Sequence, residues 1–221
     1  MNTLLLRLSG AMQSWGVQSR FTVRDTGLEP SKSGVVGLVC AALGVDRADD
    51  DALQALAGLR FGVRADCEGV VRVDYHTASE VLQANGGIKT TEVSHRYYLA
   101  DAVFLAGLEG GDLAALERIH AALKDPAWPL FLGRKAFLPG EPVWLADGLR
   151  PGEPLEQALE AYPYLGRPPA PSRLRVVIDD PPGPLVRADQ PISFAKGARR
   201  FAFRRVATRL IPCPQGAPEV I

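Results

Sequence analysis

The chain has 221 residues, with 25 lysines and arginines balanced by 25 aspartates and glutamates, and 47% of it is hydrophobic. That length supports one large domain, or one domain with a smaller annex, around a proper core. Zero net charge excludes a global field that would draw the chain onto nucleic acid or an anionic membrane, so any polyanion site must be a local patch.

The start MNTLLLRLSG is too short and too soon polar for a signal peptide. Thr3–Leu8 reads as a buried first strand. The loop Ser9–Pro30 follows, about 20 residues long, more than a structural connection normally needs, which favours a functional loop. Ser31 or Ser33 then caps a helix running to Leu43 that is apolar nearly all round. Its apolar run, Val35–Leu43, is far short of the roughly 20 residues that span a bilayer. Asp49-Asp50-Asp51 open a second short helix, with acids well placed for its dipole.

Leu59–Asp66 and Val70–Tyr75 alternate like strands about Glu68-Gly69, a hairpin signal. The polar stretch 77–96, containing Asn85-Gly86-Gly87, reads as an excursion from the sheet, either a small hairpin or a helix. Tyr97–Leu108 resumes as an apolar strand. Gly110-Gly111-Asp112 open an amphipathic helix that reaches Lys124 and stops at Asp125-Pro126. Leu132-Gly133-Arg134-Lys135 and a strand near Pro142–Leu145 complete the first 150 residues.

Strand, helix, strand, strand, helix, strand is the ferredoxin-like order, so the expected fold is α+β: a two-layer sandwich with helices on one face of an antiparallel sheet. Residues 151–221 differ in character. Pro-rich connections, GRPPAPS and DDPPGP, separate a short helix at Pro154–Ala161 from strands near Leu174–Ile178, Leu185–Arg187 and Phe201–Leu210, which predicts a strand-rich C-terminal annex.

The first turn Ser31-Lys32-Ser33-Gly34 places hydroxyls and a lysine where a helix leaves backbone N–H groups unpaired, which suits an anion such as a phosphate. The glycines of a nucleotide-binding P-loop are missing, and an ordinary capped helix explains the same residues. The loop before it interleaves donors, cations and rings: Gln13, Trp15, Arg20, Phe21 and Arg24. Such a mix grips phosphates and stacks unpaired bases, although Trp15 and Phe21 also suit anchoring of the loop to the core. Glycine beside two cations at Arg134 and Lys135 suits a sugar–phosphate chain, or simply a solvated turn. Lys89, Tyr75, His76 and His95 include the residue types of metal-free RNA cleavage, yet no spacing fixes their geometry, and RNA contact is the commoner use. The run Lys196–Arg209 (KGARRFAFRRVATR) holds six cations and no acid, fitting RNA, an acidic partner or a charged edge strand. Cys40, Cys67 and Cys213 form no CxxC pair, which argues against a disulfide framework or a zinc site and fits a reducing cytoplasm. Metal-ligand spacing, a nucleophile elbow, a dinucleotide GxGxxG and the RNP1 pattern are all absent from the sequence, so no metal or cofactor is expected.

The segments LLLRLSGAMQSWG (4–16), PSKSGVVGLVCAALGV (30–45), DYHT (74–77), YYLADAVF (97–104) and FLGRKAF (131–137) together resemble the CasD family, the type I-E CRISPR Cascade subunit of the RAMP superfamily. They run in family order over about the first 140 residues, and ARRFAFRR matches more loosely. The resemblance implies an RRM-like RAMP domain over 1–150 with a protruding thumb at about 77–97, and a small C-terminal subdomain over 151–221. It implies a cytoplasmic, non-catalytic subunit that caps the 5′ handle of the CRISPR RNA between the terminal backbone subunit and the large subunit. Target DNA is then met only through the assembled complex, and no membrane is involved. In that reading Ser31, Lys32, Ser33, Arg134 and Lys135 hold the handle, with Gln13, Trp15, Arg20, Arg24 and His76 in the same RNA-binding set. Lys89, His95 and Arg96 belong to the thumb. A related subunit of the C subtype is itself the repeat-processing endoribonuclease, whereas in the E subtype a separate nuclease makes that cut, so no catalytic residue is expected.

Overall fold

A computed structural model describes residues 1–17 and 22–214. The strands are β1 (Asn2–Ser9), β2 (Met12–Gln13), β3 (Val23–Arg24), β4 (Arg60–Cys67), β5 (Val70–Leu82), β6 (Ile88–Ala100), β7 (Val103–Gly110), β8 (Leu149–Arg150), β9 (Arg173–Asp179), β10 (Leu185–Ser193) and β11 (Arg200–Pro212). The helices are α1 (Lys32–Leu43), α2 (Asp50–Ala57), α3 (Leu113–Lys124) and α4 (Leu155–Ala161). The main sheet has seven strands in the order β10-β11-β9-β4-β7-β1-β8, and every neighbouring pair is antiparallel. A second sheet is built on β6, which pairs with β2, β3 and β5.

β1 is a continuous apolar run because both of its faces are covered. Leu4, Leu6 and Leu8 pack into the core under α1 and α3, while Leu5 packs with α4 on the opposite face. The helices α1 and α3 of the first 150 residues thus share one face of the sheet, and the helix of the C-terminal segment covers the other. Leu155, Ala158 and Leu159 of α4 bury against Leu5, Leu105 and Val176. Gly107 makes that approach possible, since a Cβ there would lie 2.4 Å from Leu155 Cδ1. Arg64, wholly buried on β4, fixes the end of the same helix. Its guanidinium donates to the carbonyls of Leu159 and Tyr162, both at 2.6 Å, and to both oxygens of the buried Asp66 at 2.6 and 2.8 Å. A cation at a helix C-terminus complements the dipole and the unpaired carbonyls.

The strands after residue 150 extend the main sheet: β9 pairs with β4, β11 with β9, and β10 with β11, so hydrogen bonding is continuous across position 150. Two expected strands change. Pro142–Leu145 is irregular, touching β1 through the Arg7 N–H to Val143 carbonyl bond, and the regular edge pairing comes later, at β8. The turn at Glu68-Gly69 is no hairpin between β4 and β5. β4 pairs with β7 and β9, while β5 leaves the main sheet and pairs with β6 along its whole length, from Val70–Ala100 to Leu82–Ile88. The excursion is therefore a long hairpin that starts at Val70 rather than Thr77, and Asp101 (φ 55°) breaks Tyr97–Leu108 into β6 and β7.

Arg64→Met is expected to destabilise the chain by about 3–5 kcal/mol, because Asp66 then stays buried without its partner. Urea unfolding checks this; a loss below about 1 kcal/mol would show that the pair does not hold α4.

Candidate nucleic-acid interface

The first turn of α1 forms as the sequence predicts, with the Ser31 hydroxyl accepting from the Gly34 N–H at 3.2 Å. The anion at this helix end, however, comes from the protein itself. The Lys32 N–H donates to Asp189 Oδ2 at 2.8 Å, and Lys32 Nζ lies 3.1 Å from Asp179 Oδ2. Arg204 completes the cluster, with Nε and Nη2 on Asp189 at 2.6 and 2.9 Å and Nη1 on Asp179 at 2.5 Å. Lys32 is only 4% exposed, and burial lowers its pKa against the opposing pull of Asp179. The expectation that Lys32 holds RNA phosphate is thus corrected: β9, β10 and β11 bring two carboxylates onto the helix end and occupy it. Ser33 stays partly exposed beside Ser31.

Gln13 and Trp15 are also structural. Gln13 is wholly buried and donates to the carbonyls of Leu8 and Ala102 at 3.1 and 2.7 Å. The Trp15 indole N–H donates to Gln13 Oε1 at 3.1 Å, and its ring lies in the core against Gly34. Neither side chain lines a groove. Arg20 and Phe21 lie outside the described residues.

The remaining candidates meet at the root of the β5/β6 hairpin. Residues paired directly across antiparallel strands share a face. Asp74 pairs with Arg96, His76 with Ser94, and Arg24 on β3 lies level with Arg96, so these define one face. Tyr75 pairs with His95, their rings 5.5 Å apart edge to face, and with Val73 and Tyr97 they define the other. The loop 132–137 adds Arg134 to the first face. Leu132 and Phe137 are buried anchors, and the Leu132 N–H to Phe137 carbonyl bond of 2.8 Å closes the loop between them. Arg134 Nη2 donates to the carbonyls of Tyr97 at 2.8 Å and Arg24 at 3.3 Å, and its guanidinium lies 5.2 Å from the Phe137 ring centroid. Partial burial lowers the Arg134 pKa, and Arg96 and Arg24 add to that effect while Asp74 and Asp25 oppose it. Arg96 and Arg134 are partly buried with the exposed Arg24 beside them, and a polyanion relieves the repulsion among the three. Lys135 is exposed at the tip of the same loop.

Lys89 stands apart, six residues up β6 from His95, or roughly 20 Å along the strand, and is ion-paired with Glu92. His76 contacts Asp74, 3.8 Å away, on the face opposite His95. The four residues of the cleavage alternative are therefore divided between two faces and two ends of the hairpin. Among the described residues no group of three or more His, Cys, Asp or Glu could hold a metal, and no helix is long and apolar enough to cross a membrane. The features missed in the sequence are the acids. Asp189 is the lone carboxylate in the basic segment from residue 181 to residue 214, and an acid so isolated was the available signal of a buried partner.

This architecture is that of a CRISPR-associated protein. Residues 3–207 match the family described as CRISPR-associated protein (Cas_Cas5), and the chain belongs to that family. It is 35% identical over 155 residues to the CRISPR system Cascade subunit CasD of Escherichia coli (strain K12), covering 64% of this chain and 69% of that one. A structure described as a crystal structure of a Cas protein superposes with a TM-score of 0.80 at 45% identity, covering 98% of this chain and all of the other. A chain of a CRISPR RNA-guided surveillance complex superposes with a TM-score of 0.80 at 34% identity, covering 96% and 91%.

Gly133 sets the Arg134–Lys135 loop onto the hairpin root: its φ is +98°, and a Cβ there would lie 1.9 Å from the Ser14 carbonyl oxygen. Gly133→Ala is expected to cost more than about 1 kcal/mol, through strain at that φ, and to displace Arg134 from Tyr97. Thermal unfolding and amide exchange at Tyr97–Tyr98 read the two effects, and unchanged values for both would show that the loop does not depend on this close approach.

Proposed function

We propose that the chain is a CasD-type subunit of a Cascade-like CRISPR RNA-guided complex, where it holds the 5′ handle of the guide RNA without cutting it. The observation that carries this reading is the convergence of Arg24, Arg96 and Arg134 on one face of the hairpin root, with Lys135 beside them. Family membership and the likeness to a chain of an RNA-guided surveillance complex support the same reading. The core β8-β1-β7-β4 with α1 and α3 has the strand order 4-1-3-2 of a ferredoxin-like unit, and we read the hairpin as its thumb. His95 with Tyr75, together with Lys89 farther out, places polar and aromatic contacts along that thumb where the RNA bends away from the handle. The separation of His76 from His95 supports a non-catalytic role. The exposed apolar residues Val23, Val71, Val73 and Tyr97 on the second face give a protein neighbour in the complex, backbone or large subunit, a surface to cover. Such a subunit works in the cytoplasm and meets target DNA only through the complex.

Binding of a handle RNA, measured by fluorescence anisotropy against salt, tests the assignment. Arg96→Glu and the pair Arg134→Glu, Lys135→Glu are expected to weaken binding more than tenfold. Neutral replacements should reduce the salt slope by about 0.7 for each phosphate that is no longer neutralised. Unchanged affinity and slope would overturn the site. Lys32→Met separates this interface from the helix end: it should lower the unfolding temperature while the folded protein keeps its RNA affinity within about twofold. Selective loss of RNA binding at unchanged stability would return Lys32 to the site.

A further inference from the structure

A second group of cations lies at the far end of the molecule. Over Phe201–Val206 β11 alternates: Ala202, Arg204 and Val206 face inward, while Phe201, Phe203 and Arg205 face out. Phe203 is 76% exposed and Phe201 43% exposed, a costly arrangement for two large rings on one strand face. Val186, level with Arg205 on the neighbouring strand, is exposed beside them. Lys196, Arg199 and Arg200 lead into the strand, all exposed and without an ion pair among the described residues. Asp189 is the only acid from residue 181 to residue 214, and it is buried on Lys32 and Arg204 on the inward side. The patch therefore combines two exposed rings at i, i+2, about 6–7 Å apart along the strand, Phe201 also meeting the Phe194 ring at 6.3 Å between centroids, with Arg205 on the same face, Lys196 and Arg199 in the segment leading into it, and no acid from that segment.

We infer that this outer face of β11 binds a single strand of nucleic acid, with bases stacked on Phe201 and Phe203 and phosphates held by Arg199 and Arg205. Stacking on exposed rings flanked by cations is the general solution for single strands, because every base offers a π-face. Strand addition by an acidic peptide is disfavoured, since α2 already reaches the edge strand β10: Gln54 Nε2 donates to the carbonyls of Pro191 and Ile192, at 3.2 and 2.9 Å. This site is separate from the hairpin root. Val206 is level with Asp179, and Ile178 with Gly62, so residues 199–205 project past the Arg60 end of β4, whereas the hairpin leaves from its Cys67 end. The two ends are roughly 30 Å apart at the rise of a strand.

The test uses the full chain carrying Arg134→Glu and Lys135→Glu, so that the hairpin root is disabled, with fluorescein-labelled oligo-U RNA and oligo-T DNA as probes. Residual, salt-dependent binding is expected. Phe201→Ala with Phe203→Ala should weaken it roughly tenfold with little change in salt slope. Arg199→Ala with Arg205→Ala should flatten the slope by about 0.7 for each phosphate left without its cation. A photoreactive phenylalanine analogue at position 203, in the otherwise unaltered chain, should crosslink to the probe, which keeps the question answerable if a double variant misfolds. Equal binding of both probes identifies base and phosphate as the recognised groups, and a preference for RNA or for DNA names the strand; each of these supports the inference. Absence of residual binding together with absence of a crosslink overturns it and leaves the hairpin-root assignment standing. Retention of strand binding by the phenylalanine variants, with loss of their incorporation into the assembled complex, also overturns it by making the patch a protein interface.

Discussion

The rest of the structure depends on a four-charge cluster in which Asp179 and Asp189 neutralise Lys32 and Arg204 at the N-terminus of α1. Every member comes from a different element: α1, β9, β10 and β11. Removing such charges from water is expensive unless each finds partners, and here the backbone contributes too, with the Phe61 N–H donating to Asp179 at 2.9 Å. The cluster therefore does what an apolar contact would not: it accepts one register of the C-terminal strands and penalises others, since a slip of one residue would turn Asp189 or Arg204 to the opposite face. It also closes the helix end that the sequence offers most openly to a phosphate. Function at that terminus and attachment of the last three strands compete for the same donors, and attachment wins.

The hairpin follows from a different constraint. β4 and β5 are separated by two residues, yet they belong to different sheets, and the same break recurs between β6 and β7. Gly69 at φ +69° and Asp101 at φ +55° turn the chain at these two points. The hairpin is held at its root from three directions: by β2, by β3, and by Arg134 bridging the carbonyls of Tyr97 and Arg24. Its two long strands then extend roughly 40 Å, with their arginines, Arg72 and Arg96, near the anchored end. A ligand that needs fixed geometry is best held there, where the main sheet supports the side chains, and the distal part is left to follow the path of a chain-like partner.

Elements with their own periodicity were legible in the sequence. The helix caps at Ser31, Asp49 and Asp112 are all made as read, and the apolar runs of β1, β7 and β9 mark the central strands. Partnership was not legible. Val70–Tyr75 alternates equally well against β4 or against β6, and only the tertiary fold chooses. Pro142–Leu145 has a strand's composition but is held as an irregular edge by single bonds to β1. The candidate site divided along the same line. Arg24, Arg96, Arg134 and Lys135 make no ion pair among the described residues, with Asp74 and Asp25 only moderating the charge around Arg134, whereas Asp179 and Asp189 close on Lys32. Lys32 and the Gln13–Trp15 pair carry the same functional groups but are turned inward, and residue type alone carries no signal for that.

Net neutrality hides this sorting. Arg60 is paired with Glu156, Arg64 with Asp66, Arg175 with Glu29 and Glu68, Arg187 with Glu29, and Arg209 with Glu160. In these pairs and the cluster at Lys32, Asp66, Asp179 and Asp189 are the acids drawn into the interior of the sheet and its seam with the helices. Arg24, Arg96, Arg134 and Lys135 are left at one end of the sheet, and Lys196, Arg199 and Arg200 at the other, none ion-paired among the described residues. Screening in physiological salt falls off over about 8 Å, so each group acts as a local field that the balanced total does not cancel. A protein with no overall charge thus presents two positive ends, and the buried acids between them help to hold it together.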